Sequence, residues 1–349
     1  MRKFINYLIL LFFIGFLYSC TINVSNKDNN GNNGNGDSSQ ITMDNPSPSD
    51  SATGVLLTPY LGWDVQSSNT NNLRYDIYLD TSNQLNIPLA QVYTQNYYIY
   101  TPLDSNKTYY WKIRAIYDNG DAYSNIWRFT TIGGLPTNGL VAYYPFNGNV
   151  NDASGNGHHG QNYGANLIMD RFNNSNKAYS FNGINSYIMV PHSSSLQPTN
   201  GLTLSAWVKF NSLNNTCSIL GKGSDASIGW YSLRYESAGR TLDFQINFSD
   251  YIGGPRKTVS INTTLQINVW YNVIGTFNGN SMKIYLNGQF SNLLPISSTL
   301  GSNSEALQIG SSVEGYFLNG ALDDIRIYNR ALNDAEVLQL YHEGGWQKK

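Results

Sequence analysis

From Asn45 onward the apolar residues recur at every second position, in short runs that each end in a turn. Tyr75, Ile77 and Leu79 alternate with Asp76 and Tyr78, and Tyr109, Trp111, Ile113 and Ala115 alternate with Tyr110, Lys112 and Arg114. Further along, Leu202, Leu204, Ala206, Val208 and Phe210 share one face of a run, as do Met282, Ile284 and Leu286. A period of two puts successive side chains on opposite faces, so these runs are half-buried strands and the chain is predicted to be all-β. Asn287-Gly288 and Asp118-Asn119-Gly120-Asp121 are tight-turn signals between such runs. The only clear helical signal in this stretch is near the end. There Asn333 and Glu336 have capping-box spacing ahead of Val337, Leu338 and Leu340.

A chain of 349 residues has room for two domains of ordinary size and an N-terminal extension. Only 13% of it is charged, while 26 tyrosines carry an aromatic content of the same size. Tyrosine suits strands and exposed binding faces. The formal net charge of −2 offers no basic stripe, so no nucleic-acid partner is expected. The pattern divides into a sandwich over residues 43–132, a Gly/Pro-containing linker over 133–139 and a larger sandwich over 140–346.

The first twenty residues combine Arg2 and Lys3 with an apolar run from Phe4 to Tyr18. That run, of about 15 residues, suits an export signal better than a membrane span of about 20. Leu17-Tyr18-Ser19-Cys20 resembles the lipobox of bacterial lipoproteins. The resemblance implies a signal peptide over 1–20, acylation of Cys20, and attachment to the membrane through the N-terminal lipid alone. Thr21 follows, where an aspartate would signal inner-membrane retention, so the expected location is the outer membrane or cell surface. Residues 21–42, mostly Asn, Gly, Ser and Asp, are expected to form a disordered tether reaching roughly 20–25 Å. With Cys20 lipidated, Cys217 has no intramolecular partner; it is expected to be a small buried residue, not a nucleophile.

In residues 43–132, Trp63, the Tyr75–Asp80 run, and Leu103 six residues before Tyr109 resemble a fibronectin type III domain with its tyrosine corner. Over residues 140–346 three stretches resemble a laminin G-like, concanavalin A-like jelly roll: Gly139–Gly160, Trp270–Gly288 and Gly320–Leu332. A concanavalin A-like fold hosts many functions, so the site must argue for itself. Strand alternation places Asp323 with Ile325 and Ile327, on the side facing the core. A carboxylate there needs a cation or several donors. In related jelly rolls a structural calcium ion joins the last strand to the N-terminal segment, which implies Asp323 with help from Asp152, Asn147 or Gly148. The alternative is that Asp323 accepts backbone N–H bonds from the Ser154–Gly157 turn. His158 and His159, as neighbours on a strand, point to opposite faces and cannot chelate one ion.

Five glutamates are scattered along the chain with no two close together, and no nucleophile elbow, Walker loop or His-Glu-x-x-His occurs. The chain therefore reads as a non-catalytic surface protein whose jelly roll binds carbohydrate or acts as an adhesin. Trp230, Tyr231, Tyr235, Tyr251 and Tyr316 are the candidate aromatic platforms for a glycan. The competing reading is a structural or protein-interaction subunit of a surface complex, whose partner is another surface protein.

Overall fold

A computed structural model describes residues 41–66, 72–118, 120–248 and 256–346. The expected export signal, Cys20, residues 21–40 of the expected tether and Tyr251 lie outside the described residues. The last two residues assigned to the tether, the buried Ile41 and the strand residue Thr42, belong instead to the first sandwich. Among the described residues no helix is long and apolar enough to cross a membrane.

Among the described residues the first sandwich has nine strands: β1 (Thr42–Ser47), β2 (Ala52–Val55), β3 (Tyr60–Gln66), β4 (Arg74–Asp80), β5 (Ala90–Val92), β6 (Asn96–Tyr98), β7 (Thr108–Tyr117), β8 (Gly120–Tyr123) and β9 (Trp127–Thr131). One sheet runs β1-β3-β6; the other runs β2-β9-β7-β4-β5, with β8 also on β7. The alternating residues meet between the sheets, where Trp63 packs edge-on against Tyr75 at 5.3 Å and Trp111 lies 4.8 Å from Trp127. The Tyr109 hydroxyl accepts the backbone N–H of Asp104 at 3.1 Å, clipping the loop after Leu103 onto β7.

The second sandwich has fifteen strands among the described residues: β10 (Leu140–Tyr144), β11 (Gln161–Tyr163), β12 (Asn166–Ile168), β13 (Ala178–Asn182), β14 (Tyr187–Val190), β15 (Leu202–Phe210), β16 (Cys217–Lys222), β17 (Tyr231–Glu236), β18 (Thr241–Ile246), β19 (Lys257–Asn262), β20 (Trp270–Phe277), β21 (Ser281–Leu286), β22 (Gln289–Pro295), β23 (Leu307–Ile309) and β24 (Asn319–Tyr328). They make an eight-stranded sheet, β12-β13-β24-β15-β20-β21-β22 with β10 on β24, and a seven-stranded sheet, β11-β14-β23-β16-β17-β18-β19. The predicted faces, Leu202 to Phe210 and Met282 to Ile284, line the core between them. Gly275 lets the sheets approach: a Cβ there would stand 2.3 Å from the Phe244 ring of the opposite sheet. Asn287 and Gly288, both at positive φ, make the turn between β21 and β22.

The helix α1 (Asp334–Tyr341) carries the predicted capping box between Asn333 and Glu336. It lies on the outer face of the eight-stranded sheet, where Val337 and Leu340 pack with Ile274, Tyr285 and Tyr328. The linker is tied to the end of the last strand and to the bend beyond it. Tyr328 donates its hydroxyl to the Pro136 carbonyl at 3.0 Å, and Arg330 Nε donates to that of Asn138 at 2.8 Å.

Candidate functional site

Alternation along β17 and β18 sends Tyr231, Leu233, Tyr235, Leu242, Phe244 and Ile246 into the core. Ser232, Arg234, Glu236, Asp243 and Gln245 therefore stand on the outer face. Register then aligns positions across the whole sheet: Gln161, Met189, Gln308, Gly221, Ser232, Gln245 and Thr258 form one row, interrupted in side chains at Gly221. A parallel row holds Ser218, Arg234, Asp243 and Ser260. At the β11 edge Tyr163 and Tyr187 stack face to face, 4.8 Å apart and 7° from parallel, with Phe317 6.4 Å beyond Tyr187. The face thus grades from exposed aromatic and amide groups on β11 to buried polar groups on β17 and β18.

The buried end is charged and only partly compensated. Arg234 lies 3.5 Å from Asp225 and 3.3 Å from Glu236, and its guanidinium stacks 4.6 Å from the centre of the Tyr316 ring. Asp225 also meets Arg256 at 2.8 Å. Burial, with Glu314 nearby, nonetheless raises the Asp225 pKa above the usual carboxylate range. Asp243 accepts from Gln245 Nε2 at 3.0 Å, and Asn247 donates to the Ser227 carbonyl at 3.1 Å. Asp225 Oδ1, Asp243 Oδ1, Gln245 Oε1, Asn247 Oδ1 and Arg234 Nε have no partner among the described residues. Polar atoms buried without partners carry a desolvation penalty of about 1–3 kcal/mol each. A cluster of them on one face is therefore a feature to explain. At the far end of β16, Lys222 is fully buried, its ammonium donating to Asn303 Oδ1 at 2.8 Å, and burial pulls its pKa down to about 8.

The aromatics expected as platforms divide. Tyr231 and Tyr235 belong to the core and hydrogen-bond the carbonyls of Leu196 and Leu213. Trp230 is 1% exposed, with the Arg256 guanidinium 5.8 Å from its ring centre. These three are not surface platforms: alternation points the two tyrosines inward, and Trp230 is covered. Tyr316, half-buried against Arg234, does border the face. The residues missed are Tyr163, Tyr187, Asp225, Arg234, Asp243, Gln245 and Asn247. The alternation of Tyr231–Glu236 and Leu242–Asn247 was the signal that could have found those on β17 and β18.

The expected calcium ligands are not assembled. A β-bulge in β24, where Asp324 has φ +47°, pairs Asp323 with Trp207 and shifts it to the face opposite Ile325. There both Asp323 and Asp324 lie 2.6 Å from Arg171 Nη1. Asp152 accepts the backbone N–H groups of Tyr143, Ser154 and His158 at 2.8–3.0 Å. Burial works to raise its pKa, but these donors outweigh it and hold the carboxyl below its ordinary value. The turn-donor arrangement considered for Asp323 is thus the one Asp152 adopts. Asn147 and Gly148 are exposed, with Gly148 N–H bonded to the Asn176 carbonyl. Carboxylates so engaged do not fit the six to eight oxygens of a calcium site. Among the described residues, no group of three or more His, Cys, Asp or Glu is placed to hold a metal. His158 bonds Ser195 at 2.7 Å, and His159 Nδ1 accepts the Asp152 N–H at 3.2 Å. Cys217 is buried, which pushes its thiol up to about 12.

Residues 182–338 match the family model described as the concanavalin A-like lectin/glucanases superfamily, and the second sandwich is a concanavalin A-like jelly-roll domain. Among solved structures, the chain is similar to domain 4 of AbnA, a GH43 extracellular arabinanase from Geobacillus stearothermophilus, in complex with arabinotriose. That match has 20% identity and a TM-score of 0.49, over 58% of this chain and 98% of that one. The binding domain of Paraclostridial Mosquitocidal Protein 1 matches at 20% identity and TM-score 0.48, over 59% of this chain. The receptor binding domain of botulinum neurotoxin C/D mosaic serotype matches at 16% identity and TM-score 0.48, over 60% of this chain. In each of these last two, the match spans 52% of the other chain. No curated protein sequence matches the chain.

Proposed function

We propose that this is a non-catalytic carbohydrate-binding protein of the cell surface, exported and anchored through acylated Cys20. The glycan is bound on the outer face of the seven-stranded sheet. The observation that carries the reading is the row from Gln161 to Thr258, polar but for Met189 and Gly221, running beside the stacked Tyr163–Tyr187 pair. A pyranose ring needs an apolar platform for its C–H face and amide, hydroxyl and charged groups for its hydroxyls, and this face supplies both in adjacent lanes. Near it, Glu236 is engaged by Arg234 and Thr216 and Glu305 by Ser224 and Ser227, while Asp225 and Asp243 are each held through one oxygen, by two guanidiniums and by Gln245 respectively. That favours binding over acid–base hydrolysis. The first sandwich is read as a fibronectin type III-like spacer, supported by its three-stranded sheet, buried Trp63 and Tyr109–Asp104 clip.

The test is a glycan-array screen of the purified protein, repeated with Tyr187→Ala. Binding to one sugar class that weakens about 2- to 10-fold in the variant is expected, the worth of one aromatic contact. A blank array from folded protein that co-purifies with another surface protein would instead favour the interaction-subunit reading.

A further inference from the structure

The atoms without partners on this face are not a random set. Asp225 Oδ1, Asp243 Oδ1, Gln245 Oε1 and Asn247 Oδ1 can only accept hydrogen bonds, whereas Arg234 Nε is the single partnerless donor among them. Asp243, Gln245 and Asn247 succeed one another at alternate positions from β18 onward, and each is less than 10% exposed. Asp225 reaches the same cluster through Arg234, which Asp243 faces across the β17–β18 ladder. A ligand seated here must bring hydrogen-bond donors to four oxygens and can satisfy only one donor in return.

We infer that the glycan taken by this face is neutral and hydroxyl-rich, and that the site discriminates against uronic, sialic and sulfated sugars. This inference rests on the carbohydrate-binding reading above. Each sugar hydroxyl donates one proton and accepts through its oxygen, so a run of hydroxyls matches four acceptors and one donor. A carboxylate or sulfate group brings acceptors alone. Beside Asp225 and Asp243 it would meet like charge in a desolvated setting, with both guanidiniums already engaged by Asp225 and Glu236.

The experiment is an array in which each acidic glycan is printed beside its carboxyl-reduced or desulfated counterpart, run in EDTA with the whole protein. Binding is expected on neutral members, with at least about a tenfold preference within any pair that binds. Asp243→Asn, which keeps the shape and can offer an N–H in place of an orphan oxygen, is expected to narrow that preference about threefold or more. Equal or stronger binding to the acidic member of a pair would overturn the inference while leaving carbohydrate binding intact. A blank array from folded protein would overturn the carbohydrate reading itself, and this inference with it. The paired comparison on the unsubstituted protein decides the matter even where the variant does not fold.

Discussion

The two outer faces of the second sandwich both bury charge, yet they dispose of it differently. On the eight-stranded sheet, α1 covers an apolar patch. Beside that patch Arg171 takes Asp323 and Asp324, and Arg326 takes Glu343 at 2.7 Å. Both guanidiniums also lie over rings, Arg171 at 4.7 Å from Trp207 and Arg326 at 3.8 Å from Tyr143. The orphans on this side are mainly donors, Arg171 Nε, Trp207 Nε1 and Asn272 Nδ2 among them. The seven-stranded sheet leaves acceptors unpaired and opens toward an aromatic edge. Buried charge alone therefore does not mark a binding site. What distinguishes the two faces is whether the chain itself supplies the counterpart to the polar groups it buries.

The largest expected effect tests the self-paired face. Arg171→Met removes the cation that Asp323 and Asp324 share, and should destabilise the fold by about 3–5 kcal/mol, the cost of leaving buried carboxylates unpaired. The denaturant midpoint reads this directly, and glycan affinity of the folded fraction should stay within about twofold. A loss below about 1 kcal/mol would mean that the helix cover, and not the ion pairs, holds this face together.

The opposite pattern is expected on the other face. Gln245→Met keeps the volume but deletes both the orphan oxygen and the amide that donates to Asp243. Relief of the first offsets loss of the second, so stability should change by less than about 1 kcal/mol. Affinity for a bound glycan should fall about tenfold, or 1.4 kcal/mol. Isothermal titration beside chemical denaturation separates the two readouts. A variant that unfolds easily and binds normally would show that Gln245 belongs to the structure, and would erase the distinction between the faces.

Much of the fold is legible in the sequence. The all-β class, the Asn333–Glu336 cap, the inward faces of β15 and β21 and the buried Cys217 come from alternation and local turn chemistry, which depend on near neighbours in sequence. The site is less so, for three separate reasons. Tyr231 and Tyr235 suit a glycan platform by residue type, whereas alternation along β17 turns both into the core. Tyr163 sits on a three-residue strand, too short for any period to show. Unbroken alternation puts Asp323 on the core face, but the bulge at Asp324 resets it, and a bulge at a non-glycine residue leaves no mark in the sequence. Its partner Arg171 lies 152 residues away, a pairing that only the assembled sheet creates.

The smallest expected effect concerns that same cluster and its protons. Asp323, Asp324 and Glu343 face two guanidiniums, so the group carries one negative charge more than it can neutralise. Burial, reinforced by the Asp324 charge, lifts the Asp323 pKa from 3.8 to about 8, against the pull of Arg171. A carboxyl raised in the folded state holds its proton where the unfolded chain has released it. Stability should therefore be greatest below pH 4 for this group, and should fall as pH rises from about 4 to about 8. Asp323→Asn mimics the protonated form and keeps an oxygen toward Arg171. Wild type and variant should match near pH 4, and the variant should be the more stable at pH 9 by on the order of 1 kcal/mol, after allowance for relaxation of a crowded cluster. Denaturation midpoints at the two pH values give the sign. A variant weaker than wild type at pH 9 would make the ionised Asp323 a net partner of Arg171, and the self-paired face would then be balanced in charge as well as in contacts.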